Sequence, residues 1–251
     1  MTAPSADRPD TAAGPTLTAS IWRGGPEGGA FRDYSVPAEA SQTVLDVVAW
    51  VQQEADPTLS YRFACRVGMC GSCAMMVNGA PRWTCRTHVE RVLTDGRVEI
   101  APLRNLPVIK DLAADMDPFF DKWIAAGAVH HPSATRDDPI APVAPDTPGR
   151  VAADKGVECI NCAVCYAACD TVASNPDFLG PAALNRAWTL VNDEKDGARA
   201  AILDAVSGTG GCHNCHSMGS CVAHCPNELN PMEAIAGLKR ATARSFFGRR
   251  G

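Results

Sequence analysis

Twelve cysteines fall into three groups along this chain, and their spacing constrains the fold more than any other feature. The first group is Cys65-x4-Cys70-x2-Cys73-x11-Cys85. The later groups are Cys159-x2-Cys162-x2-Cys165-x3-Cys169 and Cys215-x5-Cys221-x3-Cys225, the latter followed by Pro226. Cysteines at these spacings are typical of iron–sulfur ligation, in a plant-type style for the first group and a bacterial-type style for the others. Because such clusters usually move single electrons, the pattern predicts an electron relay between two partners.

Strand and helix patterns surround the first cysteine group. Apolar residues alternate over 17–21 and 31–36 on either side of a glycine-rich turn, which predicts a hairpin. Apolar residues recur at helical spacing over 44–51, with Thr43 or Ser41 as the candidate cap. Two strands and a helix followed by a cysteine loop are the element order of a β-grasp ferredoxin domain.

The segments on either side of these elements set the limits of the first domain. A second hairpin around Asn78-Gly79 and a last strand over 97–100 complete the predicted β-grasp fold. We therefore predict a plant-type 2Fe–2S ferredoxin domain over 17–122. Residues 1–16 are rich in Ala, Pro, Asp and Thr without periodicity, and we expect them to form a disordered tail.

The C-terminal part has helical composition. Prolines are dense over 123–150, which predicts an extended connector. Helices are predicted over 182–192, 198–206 and 231–240, so a mostly helical, bacterial-ferredoxin-like domain should occupy 151–251 and hold its cysteines in loops. The predicted fold class of the whole chain is therefore α+β.

The first cysteine group predicts a 2Fe–2S site made by Cys65, Cys70, Cys73 and Cys85. A structural zinc site is the alternative. Zinc sites favour two separated pairs of ligands two to four residues apart, and the progression of spacings here fits that arrangement poorly.

The later groups predict two clusters with crossed ligation, because the fourth cysteine of each bacterial-type run ligates the other cluster. The predicted 4Fe–4S ligands are Cys159, Cys162, Cys165 and Cys225, and Cys169, Cys215 and Cys221 are expected at the neighbouring cluster. Met218 stands where that neighbour would have its fourth ligand. Because a thioether is a poor replacement for a thiolate on iron, we predict a 3Fe–4S cluster there.

Cys212 is the one cysteine that these assignments leave over. Cys212 precedes Cys215 by three residues, whereas Met218 follows Cys215 by three residues. Cys212 would therefore take the place of Met218 at the cluster only if the loop folded back. The glycines over 208–211 leave room for the loop to fold back. Two interpretations stay open, a partly buried spare thiol and a ligand of the 3Fe–4S cluster.

Composition and charge argue against only a few further functions and locations. A net charge of −5 gives no basic surface for nucleic acid, although the C-terminus from Lys239 is locally basic, as a membrane-facing segment or a solvated helix end would be. No apolar stretch approaches the roughly 18 residues that span a bilayer, and the N-terminus lacks the pattern of a signal peptide. We therefore expect the chain to stay in a reducing cytosol, where cysteine-dense proteins bind metal more often than they form disulfides.

Several motifs together resemble the iron–sulfur subunit of succinate dehydrogenase and fumarate reductase, the family of respiratory complex II. The resemblance spans about residues 17–240 and rests on SYRFACRVGMCGSC at 60–73, PLRNLPVIKDL at 102–112, CINCAVCYAAC at 159–169, NPDFLGPA at 175–182 and CHSMGSC at 215–221 with Cys225-Pro226. It implies the cluster order 2Fe–2S, 4Fe–4S, 3Fe–4S, running from a flavoprotein subunit with FAD to a quinone beside one or more membrane anchor subunits.

The resemblance also implies a place in respiration and the tricarboxylic acid cycle, peripheral to the cytoplasmic side of the inner membrane. His216 and Met218 match positions beside the 3Fe–4S cluster and quinone, and Lys239 matches a basic position in the last helix. His216 is alternatively a solvent-facing loop histidine. The sequence departs from the family at two positions near this site: Asp170 replaces a proline that is usual in the family, and Ser174 replaces a tryptophan of ubiquinone-using members.

No motif for flavin, nicotinamide or covalent catalysis is present, so we expect no substrate site on this chain. Its predicted role is that of an electron-transfer subunit of a succinate:quinone oxidoreductase. The same relay serving another flavin-dependent dicarboxylate or 2-hydroxy acid dehydrogenase is the alternative.

Overall fold

A computed structural model describes residues 14–248, with side chains described up to residue 246. Most of the tail predicted over 1–16 lies outside the described residues, and the first strand already begins at Thr16. Among the described residues, no helix is both long and apolar enough to cross a membrane.

Five strands near the N-terminus form one sheet. They are β1 (Thr16–Gly25), β2 (Gly28–Pro37), β3 (Ala74–Val77), β4 (Ala80–Trp83) and β5 (Arg97–Ala101). Their order is β2-β1-β5-β3-β4, in which β1 and β5 are parallel and the other neighbours antiparallel. Both predicted hairpins and the last strand are confirmed. The first hairpin is longer than predicted because Gly24 pairs with Gly29, where a Cβ on Gly24 would lie 2.3 Å from the Gly28 carbonyl oxygen.

One helix packs against this sheet. Helix α1 (Val44–Trp50) continues as a π-helical turn to Ala55. Of the two candidate caps the structure selects Thr43, whose hydroxyl accepts from the Asp46 N–H while the Asp46 carboxylate accepts from the Thr43 N–H. The apolar face of α1 lies in a core with the alternate residues Leu17, Ala19 and Ile21 of β1, as the helical spacing predicts.

Two short elements that the sequence pattern did not predict follow the sheet. A small hairpin joins β6 (Val108–Lys110) and β7 (Ala113–Ala114), and α2 covers Asp117–Ala125. Helix α2 crosses the boundary predicted at residue 122. The limits of the two domains stay predictions.

The rest of the described chain is helical. Its elements are α3 (Pro148–Val157), α4 (Val164–Ala167), α5 (Asp170–Ser174), α6 (Pro181–Val191), α7 (Arg199–Ser207), α8 (Ser220–Ala223) and α9 (Pro231–Gly248). Helix α6 packs against α3, α7 and α9. Gly237 permits the contact with α9, since a Cβ there would lie 2.6 Å from the Trp188 ring. The predicted α+β class is confirmed, and the last helix runs past the predicted end at 240.

A second hydrophobic core joins the sheet to the helices, with residues from β3, α2, α4 and α6. Phe119 of α2 packs edge-on against Tyr166 of α4, with ring centroids 5.4 Å apart. The segment predicted as a connector over 123–150 also contains the end of α2 and the start of α3. Pro148 stands in the first turn of α3, a position where a missing N–H does not weaken the helix.

Candidate metal centres

The sheet brings together the first cysteine set, Cys65, Cys70, Cys73 and Cys85. Cys73 immediately precedes β3, and Cys85 lies in a 3-10 turn immediately after β4. The Thr84 hydroxyl donates to the Cys73 carbonyl at 2.7 Å and holds these two ends together. The Cys85 pKa is raised to about 12, first by burial and then by the adjacent thiol of Cys73.

The loop between Cys65 and Cys73 aims backbone donors at sulfur. The N–H groups of Met69 and Cys70 donate to Cys65 Sγ at 3.2 and 3.3 Å. Gly68 and Gly71 adopt left-handed φ values of 77° and 70°, which allows this close wrapping. A hydrogen bond from the Ser72 hydroxyl leads the causes that lower the Cys70 pKa to about 6. The loop therefore favours the thiolate form that metals bind.

The second cysteine set, Cys159, Cys162, Cys165 and Cys225, lines a single hollow between the start of α4 and the segment before α9. Burial raises the Cys162 pKa to about 11, although a hydrogen bond from the Val164 N–H and the nearby Trp83 indole oppose this shift. Burial also raises the pKa of Cys165 well above its usual value, and the neighbouring thiols add to the shift. Because buried thiols deprotonate only when positive charge compensates, this donor set fits a bound metal centre.

The third cysteine set, Cys169, Cys215 and Cys221, lines a separate hollow. Burial raises the Cys221 pKa to about 11, and the neighbouring thiols Cys169 and Cys215 contribute further. The Ser217 N–H donates to Cys215 Sγ at 3.4 Å. These two hollows therefore group the cysteines across the runs, as crossed ligation requires. The ligation itself stays a prediction.

The three sets lie next to one another in a row. A Cβ built on Gly71, in the first loop, would lie 2.5 Å from Cys162 Cβ in the second set. Cys165 of the second set and Cys221 of the third are close enough for their charges to interact. The second set therefore lies between the first and the third.

The three residues predicted near a quinone lie at the far end of this row. His216 and Met218 line the hollow of the third set, and both are exposed. The Lys239 ammonium group on α9 donates to the Cys215 carbonyl at 2.7 Å. Ser174, which replaces the family tryptophan, donates from its hydroxyl to the Asp170 carbonyl at 3.0 Å.

Cys212 is fully buried and is not among the residues that line either hollow. Its Sγ lies 3.9 Å from the Thr242 hydroxyl of α9. The Cys212 pKa is raised, chiefly by burial. This environment is that of a packed thiol.

Two features of the site were not found from the sequence. Trp83 lines the hollow of the second set. Asn105, with a left-handed φ of 65°, and Arg104 donate to carbonyl groups at the end of α4. The motif at 102–107 was visible in the sequence, but nothing in its spacing indicates what its side chains contact.

Within residues 14–248, no three or more His, Cys, Asp or Glu side chains converge as ligands of one ion.

Comparisons with known proteins agree with the cysteine geometry. A family described as a 2Fe-2S iron-sulfur cluster binding domain matches residues 18–121, and one described as a 4Fe-4S dicluster domain matches 158–230. The fumarate reductase iron-sulfur subunit of Mycobacterium tuberculosis is 36% identical over 216 residues, which cover 85% of this chain and 86% of that protein. The mitochondrial succinate dehydrogenase [ubiquinone] iron-sulfur subunit 1 of Oryza sativa is 33% identical over 240 residues, covering 90% and 82%.

A solved structure shows the same architecture. A chain of the Mycobacterium smegmatis Sdh1 complex in the apo form superposes with a TM-score of 0.81 at 25% identity, covering 94% of this chain and 98% of that one. The paired cluster-binding domains, the cysteine sets and these near full-length likenesses agree: the chain belongs to the family of iron–sulfur subunits of fumarate reductase and succinate dehydrogenase.

Proposed function

We propose that this chain relays single electrons through 2Fe–2S, 4Fe–4S and 3Fe–4S clusters between the FAD of a flavoprotein subunit and a quinone at a membrane anchor. The observation that carries this proposal is the row of three adjacent cysteine sets. A row of closely spaced redox sites joins a two-electron flavin to a distant acceptor in one-electron steps. The clusters, when bound, supply the electron-accepting centres.

The residues that would hold each cluster are the three cysteine sets. The first set would hold 2Fe–2S, the second 4Fe–4S and the third 3Fe–4S. Met218 supports the last assignment, because it lines the third hollow and occupies the sequence position where the run would have its fourth ligand. The chain's own contribution is to bind the irons, to donate hydrogen bonds to sulfur and to keep the second set buried.

The two ends of the row suit different partners. At the first set Cys70 is exposed, and Val67 and Met69 beside it are 58% and 69% exposed. An exposed apolar loop over a cluster suits a protein partner, so we place the flavoprotein subunit there. At the opposite end the exposed His216, near the basic helix α9, would donate a hydrogen bond to a quinone oxygen. We therefore place the anchor at that end, with the chain peripheral to the cytoplasmic face of the membrane.

The test is anaerobic purification of the chain with its native partners, followed by two turnover assays. We expect succinate-to-quinone or quinol-to-fumarate electron transfer, together with about nine irons per chain, the sum of the three cluster types. Turnover of another dicarboxylate or a 2-hydroxy acid instead would replace the substrate and leave the relay intact. A colourless, zinc-containing preparation would refute the relay.

A matched pair of variants locates the acceptor end. His216→Gln should lower the rate of quinone reduction while succinate still reduces the clusters, because only the last transfer is affected. His213→Gln is the control, since His213 Nε2 contacts the Thr242 hydroxyl at 3.0 Å and does not line the third hollow. Equal losses in the two variants would argue against a quinone beside His216.

A further inference from the structure

Trp83 has a polar atom that the protein leaves without a partner. The residue is the last of β4 and is 7% exposed. Its Nε1 is buried and makes no hydrogen bond of good geometry with the described part of the chain. An indole nitrogen only donates, and a buried donor is unfavourable unless it has an acceptor. Trp83 therefore has a buried N–H donor that still needs an acceptor.

The position of the ring narrows the choice of acceptor. Trp83 lines the hollow of the second cysteine set, together with Cys159 and Cys162. The other side of the Trp83 ring faces the loop between Cys65 and Cys73, because a Cβ on Gly68 in that loop would lie 3.2 Å from the ring. The indole thus stands between the first and second sets, with its edge at the second hollow.

Asn185 has the other unpartnered polar atom at this hollow. Its Oδ1 is buried without a hydrogen bond, while its Nδ2 donates to the Gly156 carbonyl at 3.2 Å. In that orientation the unpartnered atom is an oxygen that can only accept a hydrogen bond, and cluster sulfur has no hydrogen to donate to it. Among the unpartnered side-chain atoms of the described residues at this hollow, Trp83 Nε1 is therefore the one suited to sulfur.

We propose that the Trp83 indole N–H donates a hydrogen bond to sulfur of the 4Fe–4S centre, either a bridging sulfide or the Cys162 thiolate, and thereby raises its reduction potential. This inference rests on the proposed function, in which the second set holds 4Fe–4S. Reduction adds one negative charge to the cluster, so a donor stabilises the reduced form more than the oxidised form. Trp83 would therefore adjust the reduction potential of the 4Fe–4S centre through this hydrogen bond.

The test is a redox titration of the purified complex in which electron paramagnetic resonance (EPR) monitors each centre. Trp83→Phe keeps an aromatic ring and removes the N–H. We expect the reduction equilibrium constant of the 4Fe–4S centre to fall roughly threefold to tenfold, a drop of about 30 to 60 mV at 59 mV per tenfold change. The midpoint potentials of the 2Fe–2S and 3Fe–4S centres should stay unchanged.

Trp123→Phe is the matched control. Trp123 Nε1 is also buried without a partner, but this residue is not among those lining the second hollow. An unchanged 4Fe–4S potential in Trp83→Phe, or an equal shift in Trp123→Phe, overturns the proposal.

A second measurement needs no variant and covers the case in which Trp83→Phe loses the cluster. In wild-type complex labelled with 15N at the indole nitrogen, pulsed EPR of the reduced 4Fe–4S centre should show coupling to an indole nitrogen. A 4Fe–4S signal without that coupling overturns the role of Trp83 alone. Absence of any 4Fe–4S signal from wild-type protein overturns the proposed function as well.

Discussion

The side-chain amide of Asn105 donates a hydrogen bond to the backbone carbonyl of Cys169 at 3.2 Å. The same amide group donates to the Tyr166 carbonyl at 2.9 Å, and Arg104 Nε donates to the Ala167 carbonyl at 3.2 Å. The last carbonyls of a helix have no partner within it. The segment after β5 therefore caps α4 from the other half of the molecule and fixes the piece of chain that carries Cys165 and Cys169.

Asn105→Asp should destabilise the protein by about 1 to 3 kcal/mol, because the carboxylate has no N–H to offer the α4 carbonyls. The measurement is urea unfolding followed by circular dichroism. Asn105→Gly is the companion variant, since glycine tolerates the left-handed φ of 65° at this position and lacks only the amide. If Asn105→Gly is as stable as the wild type, the hydrogen bonds do not stabilise the α4 segment.

Cys212→Ser should leave the EPR signal of the oxidised 3Fe–4S cluster unchanged, because Cys212 is buried against Thr242 and not at the third hollow. Cys221→Ser, by contrast, should abolish or convert that signal. The two variants make the same chemical change, one at Cys212 and the other at a predicted cluster ligand. Loss of the signal in Cys212→Ser would make Cys212 a ligand.

The sequence allowed the cysteine sets to be predicted because ligand spacing is a local property of the chain. Crossed pairing also follows from spacing, and the two hollows group the cysteines in that way. The hollow that Trp83 lines and the partners of Asn105 could not be predicted, since these contacts join segments about 60 or more residues apart, such as the bond from Asn105 to Tyr166. Periodicity does not report such contacts.

The elements that sequence reasoning missed are short or begin at proline. β7 has two residues and α4 has four, too few for an apolar period to be recognised. Pro148 was counted with the prolines of the connector, yet it opens α3, where its fixed φ suits the first turn. The sequence alone offers both Thr43 and Ser41 as caps, and the reciprocal hydrogen bonds between Thr43 and Asp46 in the structure identify Thr43 as the cap.

Asp111→Asn should destabilise the protein by about 3 kcal/mol at neutral pH, because it removes one partner of a buried ion pair. Arg23 Nε lies 3.0 Å from Asp111 Oδ1, and both side chains are buried. Burial opposes ionisation of Asp111, but hydrogen bonds from Arg23 and from the N–H groups of Ser60 and Gly24 prevail and lower its pKa.

The loss of stability caused by Asp111→Asn should depend on pH in one direction. The folded-state pKa of Asp111 is depressed, so its stabilisation is complete above the unfolded value of about 3.9 and disappears as pH falls through the folded value. Urea unfolding of the wild type and Asp111→Asn should give a constant difference from pH 8 to about pH 5. A difference that shrinks between pH 8 and pH 6 would contradict the assignment.

Thr43→Ala should reduce the free energy of unfolding by about 1 kcal/mol, because the capping box of α1 loses its hydroxyl acceptor. Thr43→Ser keeps that hydroxyl and should lose much less. Urea titration of the two variants compares them directly, and equal losses would mean that the methyl group rather than the cap matters.

We expect this one chain to hold three different clusters in a row. Mössbauer spectroscopy of the 57Fe-enriched complex, purified anaerobically with its partners, distinguishes iron by cluster type. We expect iron in 2Fe–2S, 4Fe–4S and 3Fe–4S centres in a ratio of about 2:4:3. Iron confined to one cluster type, or two 4Fe–4S centres with no 3Fe–4S, would contradict it.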